Sequence, residues 1–235
     1  MPAPEPPDFG RDSLSVPIYQ QLRFELMTGQ HQPGAKLSIR KLAGLLNTSA
    51  TPVREAVFQL IREGAIELKT GFQPRVPVLE LTEYTQIRDT RVPLERVAGE
   101  LAAVHITEGE LAELAALHGQ YAEAGRNGHW HQALIANQAF HFTIYRASKN
   151  PVLVRLIENL WLLAGPFVAQ RFPLAFRDPS DIHPHRMIMD ALRRRSPAEV
   201  GDHLVRDLRE ASERIIRNYP PAPTQTGQRR RKSAG

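Results

Sequence analysis

The sequence predicts a mostly α protein in two parts, an N-terminal winged helix-turn-helix with a two-stranded wing and a C-terminal all-α antiparallel helical bundle. Three observations carry this expectation. Apolar residues recur at three- and four-residue spacing along most of the chain, two-residue alternation is confined to residues 66–78, and Gly, Pro and Asn pairs cut the rest into helix-length segments. With 235 residues, 42% apolar and 23% charged, the chain is long enough to bury two cores, which argues against disorder throughout. The boundaries read as a disordered Pro-rich N-terminus over 1–12, a DNA-binding domain over 13–78, an all-helical domain over 79–219 and a disordered basic tail over 220–235.

In chain order, Ile18, Leu22 and Leu26 recur every four positions and define a first helix over residues 16–27, ended near Gly29 and followed by a turn at Pro33-Gly34. A second, short helix starts with Ser38 as N-cap and buries Ile39, Leu42, Ala43 and Leu46. After a break over 47–50, a third begins with Thr51 as N-cap and Pro52 at its first position, buries Val53, Ala56, Val57 and Leu60, and stops at Gly64. Ile66 and Leu68 then alternate with Glu67 and Lys69, Gly71 permits a tight turn, and Val76 and Val78 resume the pattern as a small hairpin. Pro74 and Pro77 mark the exit into a linker.

From residue 82 to 219 the period is helical, with no second strand-rich region and no internal repeat. Thr107 with Glu110, and Ser196 with Glu199, read as capping boxes, the second with Pro197 at the first helical position. Asn127-Gly128, Asn150-Pro151 and Asp178-Pro179 divide the rest into six or seven antiparallel helices, the first kinked or split at Pro93.

Composition excludes several function classes. The absence of Cys removes disulfides, thiol nucleophiles and Cys-based zinc sites, so any metal is held by His, carboxylates or amides. No apolar stretch approaches the roughly 20 uninterrupted residues that cross a bilayer, and residues 1–10 lack a signal-peptide layout, so the expectation is a cytoplasmic protein with no membrane partner. The net charge of +5 is unevenly spread: +2 over residues 1–77, −1 over 78–220 and +4 in the tail, where Arg229, Arg230, Arg231 and Lys232 lie. Bulk charge is therefore a poor guide to nucleic-acid binding.

The third helix is more informative. Arg54 lies opposite the buried Val53/Val57/Leu60 face, with Thr51 at the N-terminal end and Gln59 and Arg62 further along. Entering a major groove N-terminus first, such a helix sets Arg54 against a phosphate or guanine edge. Its N-terminal amides and the Ser49 and Thr51 hydroxyls take phosphate oxygens, and Arg40 reaches across from the second helix. By spacing alone the same face reads equally as solvated surface, since winged helices also bind proteins. Residues 17–76, including Pro33-Gly34-Ala35-Lys36-Leu37, Leu42-Ala43, Ser49, Thr51-Pro52-Val53-Arg54-Glu55-Ala56 and Glu63-Gly64, resemble the DNA-binding domain of the GntR family of bacterial regulators. The resemblance implies that Arg40, Ser49, Thr51 and Arg54 contact an operator and that the wing turn at Gly71 enters or borders the minor groove. Ala50 stands where the family usually carries a base-reading Arg, so the operator is not taken to be the family's common one.

In the helical domain Asn137 and His141, four apart, project from one helix face, and His185 and His203 lie on two later helices joined by the turn at Ser196. Three imidazoles and an amide oxygen suit a divalent transition metal with open positions, although His105, His118, His129, His131 and His183 allow other triplets. Asn137-Gln138-Ala139-Phe140-His141, Ser148, Asn150, His185 with Ile188 and Ala191, and His203-Leu204 resemble the FadR-type C-terminal (FCD) domain of the same family, as do Arg91, Leu94-Glu95 and Leu101-Ala102-Ala103. This implies a metal, zinc with nickel or manganese as alternatives, held by Asn137, His141, His185 and His203, beside a small carboxylate effector clamped by Arg91. Asn137 stands where Asp is commoner and Pro184 where Glu is usual; Arg91 also reads as an i, i+4 surface pair with Glu95.

The reading that follows is a repressor that binds an inverted repeat of double-stranded DNA as a homodimer, with affinity set by the effector. Two alternatives stay open: a metal-free regulator whose Asn137 and histidines hydrogen-bond the effector directly, and a His-metal hydrolase. The hydrolase needs a general base that no helical spacing beside the candidate ligands supplies, and no catalytic residue is assigned.

Overall fold

The computed structural model describes residues 14–176 and 183–219. The N-terminal segment, the Asp178-Pro179 break and the basic tail lie outside the described residues. Among these, nine helices form: α1 (Ser15–Met27), α2 (Ile39–Leu45), α3 (Ala50–Arg62), α4 (Leu81–His105), α5 (Glu108–Arg126), α6 (Trp130–Ala147), α7 (Pro151–Ala175), α8 (Pro184–Arg193) and α9 (Pro197–Arg217).

The first three helices close on one apolar core of Leu22, Leu26, Val53, Val57, Leu60, Ile66 and Val76. Ser38 caps α2 as its sequence predicts, its side chain accepting from Lys41 N–H. In α3 the cap falls two residues earlier than expected, on Ser49, whose backbone is extended. Thr51 and Pro52 therefore sit inside the first turn, where a missing proline N–H leaves no helical bond unmade.

The expected two-stranded wing reduces to isolated antiparallel bridges, Glu67 to Arg75 and Lys36 to Arg75. Glu67 and Arg75 exchange both backbone hydrogen bonds at 2.9 Å, and Leu37 N–H donates to Pro74 carbonyl at 2.7 Å. Pro74 and Pro77 have no N–H to give, so the ladder cannot lengthen on either side of Arg75. Gly71, at φ +79°, makes the turn, closed by Phe72 N–H donating to Lys69 carbonyl.

The C-terminal part is a bundle of six helices, α4 to α9. Its core, with Ala98, Leu114, Phe140, Ile144, Ile157, Ile188 and Leu204, draws on every one of them. α4 continues through Pro93 for 25 residues and is not split. Packing against α6, α7 and α9 outweighs the roughly 3 kcal/mol that an interior proline costs. Both halves of the Thr107/Glu110 capping box form, while at α9 the Ser196 side chain makes no capping bond and Glu199 bonds both Arg194 and Ser196. A box at Glu80/Glu83 that opens α4 was not expected, because Glu is outside the usual N-cap set.

α7 is, by length and composition, apolar enough to cross a bilayer. Its place in the fold accounts for that: Ile157 sits in the bundle core, Leu162 in the N-terminal core, and Ala164 and Phe167 in a third cluster with Tyr84, Tyr121 and Phe172. A helix shared by three cores has little polar face left. α1 lies directly on it. A Cβ on Gly165 would meet Met27 Cα at 2.7 Å and Leu26 carbonyl oxygen at 2.8 Å, so only glycine admits this approach.

Candidate DNA-binding face and buried cation site

Arg40, Ser49, Thr51, Arg54 and Gly71 are all exposed. The buried face of α3 (Val53, Ala56, Val57, Leu60) turns Arg54 and Thr51 outward, and α2 holds Arg40 on the same outward side of its own apolar residues. Ser49 makes no side-chain capping bond. Its hydroxyl and the first amides of α3 thus form an N-terminal group of the kind that receives phosphate. This face carries cations with no acidic partner at ion-pair distance among the described residues, whereas bundle arginines such as Arg88, Arg96, Arg194 and Arg206 are paired.

The bundle holds a different assembly. Arg91 and Glu95, one turn apart on α4, are both buried and form an ion pair, Arg91 Nε donating to Glu95 Oε1 at 2.7 Å. The surface pair expected for Arg91 is thus present but buried. Glu95 also accepts from Trp161 Nε1 (2.9 Å) and from Tyr145 Oη (2.7 Å), and the Arg91 guanidinium stacks over the Trp161 ring. Burial opposes a charge on Arg91, but Glu95, Tyr145 and Tyr84 together outweigh it and raise its pKa. Burial, then the Glu95 charge, pushes the Tyr145 hydroxyl well above its ordinary value, consistent with a donor that stays protonated.

Next to this network, His141 Nε2 (α6) lies 3.1 Å from Asp207 Oδ2 (α9), and His185 Nε2 (α8) lies 3.9 Å from the same oxygen. Such a contact requires a proton or a cation between ring nitrogen and carboxylate. Burial pushes the His185 pKa well below its ordinary value, which favours the neutral ring with one N–H and one lone-pair nitrogen. Burial opposes ionisation of Asp207, yet the hydrogen bond to His141 and the surrounding imidazoles prevail and hold the carboxyl well below the usual range. One carboxylate and two imidazoles, with ligand atoms within 4.8 Å of one another, are a donor set that fits zinc or a similar ion.

His141 and His185 are therefore brought together, and Asn137, one turn before His141, lines the same cavity. His203 is not: it is half-buried one turn before Asp207, and its nearest charged groups are Glu199, Arg206 and Asp202. Asp207, one turn after it, faces His141 and His185 instead. It could have been found as an acidic residue in an apolar stripe, seven after Val200 and three after Leu204. Glu95 sits likewise in the stripe of Arg91, Ala98 and Ala102. Trp161 and Tyr145 carry no such signal, because an aromatic at helical spacing reads as core.

The cavity between these groups has a volume of about 70 Å³ and is lined by Arg91, Asn137, His141, Asp207, Tyr84 and Ser212 among others, and by Met27 at the end of α1. Met27 also accepts a hydrogen bond on its sulfur from Gln138 of α6.

Residues 14–72 match the family of bacterial regulatory proteins named gntR, and residues 86–210 match the FCD domain. The chain is 34% identical over 154 residues to the HTH-type transcriptional regulator McbR of Escherichia coli, covering 66% of this chain and 70% of the relative. It is 29% identical over 196 residues to a probable D-xylose utilization operon transcriptional repressor of Paenarthrobacter nicotinovorans, covering 82% and 84%. The solved structure of E. coli McbR/YncC superposes with a TM-score of 0.82 at 27% identity, covering 88% of this chain and 99% of the other. A GntR regulator from Rhodococcus sp. RHA1, at 20% identity and a TM-score of 0.68, shares the fold. These relatives are named as transcriptional regulators and none as a hydrolase. With its three-helix N-terminal module on a six-helix bundle, the chain belongs to the gntR family of DNA-binding transcription regulators and carries an FCD C-terminal domain.

Proposed function

We propose that the protein is a cytoplasmic repressor that binds a short inverted repeat as a homodimer, and that a small carboxylate effector in the bundle cavity, beside a divalent cation, sets its affinity for DNA. One observation carries this reading: a single cavity is lined by Arg91, by the His141–Asp207 pair and by Met27 of the DNA-binding module. Arg40, Ser49, Thr51 and Arg54 are the DNA contacts in this reading, with the turn at Gly71 at the minor groove. The repressor assignment leans on the relative named as one, and the homodimer on the two-fold symmetry of an inverted repeat.

His141, His185 and Asp207 would hold the cation, with the Asn137 amide oxygen as a further donor. When bound, the cation supplies a Lewis-acidic anchor for a carboxylate oxygen. Arg91 suits the other end of such a ligand: among the described residues only its Nε is hydrogen-bonded, so the guanidinium can serve Glu95 and an effector together. A cavity of about 70 Å³ suits a small acid. Pressure on Met27 then reaches α1 directly, and a coupling of about 1–3 kcal/mol is the ordinary size for such a link.

The test is selection of genomic fragments by the purified protein at physiological salt, where phosphate attraction alone does not dominate. Enrichment of one inverted repeat, lost in Arg54→Ala, is expected; enrichment of none would sink the reading. The 3.1 Å His141–Asp207 contact, which a proton satisfies as well as a cation, supports a second, metal-free reading. An effector response that survives chelation would select it.

A further inference from the structure

The His185 ring has two edges, and they face different groups. Its Nε2 is directed at Asp207 and, with His141, belongs to the site above. Its Nδ1 is 3.4 Å from His118 Nδ1 on α5, and His183, immediately before α8, is the third member of a separate group of imidazoles whose ligand atoms all lie within 4.8 Å of one another. We propose that His118, His183 and the Nδ1 edge of His185 form a second site for a divalent transition cation, so that one imidazole is shared between two cation positions.

The geometry suits a cation better than it suits packing alone. Two imidazole nitrogens about 2.1 Å from a common zinc, at a tetrahedral angle, are separated by roughly 3.4 Å, which is the His118–His185 spacing. His183 Nδ1 accepts the backbone N–H of His185 at 3.2 Å, so the ring's lone pair lies on Nδ1 and is the one a cation would take in exchange for that hydrogen bond. The three rings stand at 44°, 67° and 81° to one another, with centroids 4.7 to 5.6 Å apart, so they converge edge-on and do not stack in parallel. His183 and His185 are buried and His118 is half-buried, which gives the site one side open to entry.

An all-imidazole set favours zinc, cobalt, nickel or copper over magnesium and calcium, which take oxygen ligands. An ion there would tie α5 to α8 and hold the His185 ring that the first site uses. When both positions are filled, the shared ring is an imidazolate whose N–H proton has gone to solvent.

The proposal rests on the functional reading only through that shared ring, and metal stoichiometry separates the two. Full-length protein is loaded with zinc or cobalt(II), cleared of excess, and its bound metal counted by mass spectrometry for the unsubstituted chain, His118→Gln, His141→Gln and His185→Gln, with circular dichroism verifying the fold of each. Two ions per chain are expected, falling to one in His118→Gln, to one in His141→Gln and to none in His185→Gln. The cobalt spectrum left in His141→Gln should be that of nitrogen ligands alone. A single ion that His118→Gln leaves in place overturns the second site while sparing the first. A single ion lost in His118→Gln and retained in His141→Gln overturns the first while sparing the second. One ion lost in both, or none in the unsubstituted chain, overturns the two-site arrangement. Should His118→Gln misfold, His183→Gln makes the same comparison.

Discussion

The DNA-binding module and the helical bundle solve opposite problems. The first buries an almost purely apolar core and leaves its candidate working residues, Arg40, Ser49, Thr51, Arg54 and Gly71, in solvent. The second takes its working residues inside: Arg91, Glu95, His141, His183, His185 and Ser212 are buried. Exposed cations stabilise little and can be rearranged by a ligand as large as DNA, whereas buried charges must be paired where they stand. The comparison teaches where mutations should act. Changes at the exposed face should cost function and spare the fold, and changes in the bundle should cost the fold first.

The largest break is expected at Glu95. Glu95→Ala strands the buried Arg91 guanidinium and leaves the Trp161 and Tyr145 donors without their acceptor. A loss of about 3–5 kcal/mol is expected, read from the denaturant midpoint. Glu95→Gln keeps two of the three bonds and should lose less.

Gly165→Ala comes next. Its Cβ would run into the backbone of α1, at Met27 Cα and Leu26 carbonyl oxygen, and backbone cannot swing aside. A cost of about 1–3 kcal/mol is expected, with faster hydrogen exchange along α1 as the sign that the two regions have come apart. Unchanged exchange in α1 would mean that the close approach does not bind them.

A smaller effect separates the first region's own hydrogen bonds. Tyr19 Oη donates to Glu63 Oε1 at 2.5 Å and joins α1 to the end of α3. Tyr19→Phe should cost about 1 kcal/mol. Burial, then the Glu63 bond, pushes the Tyr19 hydroxyl up to about 12. A raised pKa means that the neutral form is favoured in the folded state. Its contribution is therefore complete below pH 10 and lost as pH climbs to about 12, a loss that Tyr19→Phe should not show.

The smallest stability change is expected at Arg54, within about 0.5 kcal/mol for Arg54→Ala. Binding should nonetheless fall. If Arg54 meets a phosphate, the loss is uniform across sequences and the salt slope drops by about 1; if it reads a base, discrimination is lost at one position of the operator.

The same contrast explains what could be read from the sequence. Residues of the exposed face follow one another on one or two helices, so the 3.6-residue period alone orders Ser49, Thr51 and Arg54 along α3. The alternation at Ile66, Leu68, Val76 and Val78 places the hairpin turn at Gly71, but says nothing about whether Pro74 and Pro77 leave enough donors for more than isolated bridges. In the bundle, His141 and Asn137 share a helix and were placed together by period. Nothing in the period of α9 alone says whether the turn of His203 or that of Asp207 faces α6 and α8. That depends on how α9 packs across α4, a property of four helices at once.

Whether occupation of the cavity alters the grip on DNA is measured most directly by operator affinity, at fixed salt, for protein loaded with zinc and for protein stripped by a chelator, in the unsubstituted chain and in Met27→Ala. A change of about 5- to 150-fold between loaded and stripped protein is expected, shrinking in Met27→Ala because that side chain joins the cavity to α1. Equal affinities with and without the ion in the unsubstituted chain, or a coupling that Met27→Ala leaves intact, would contradict it.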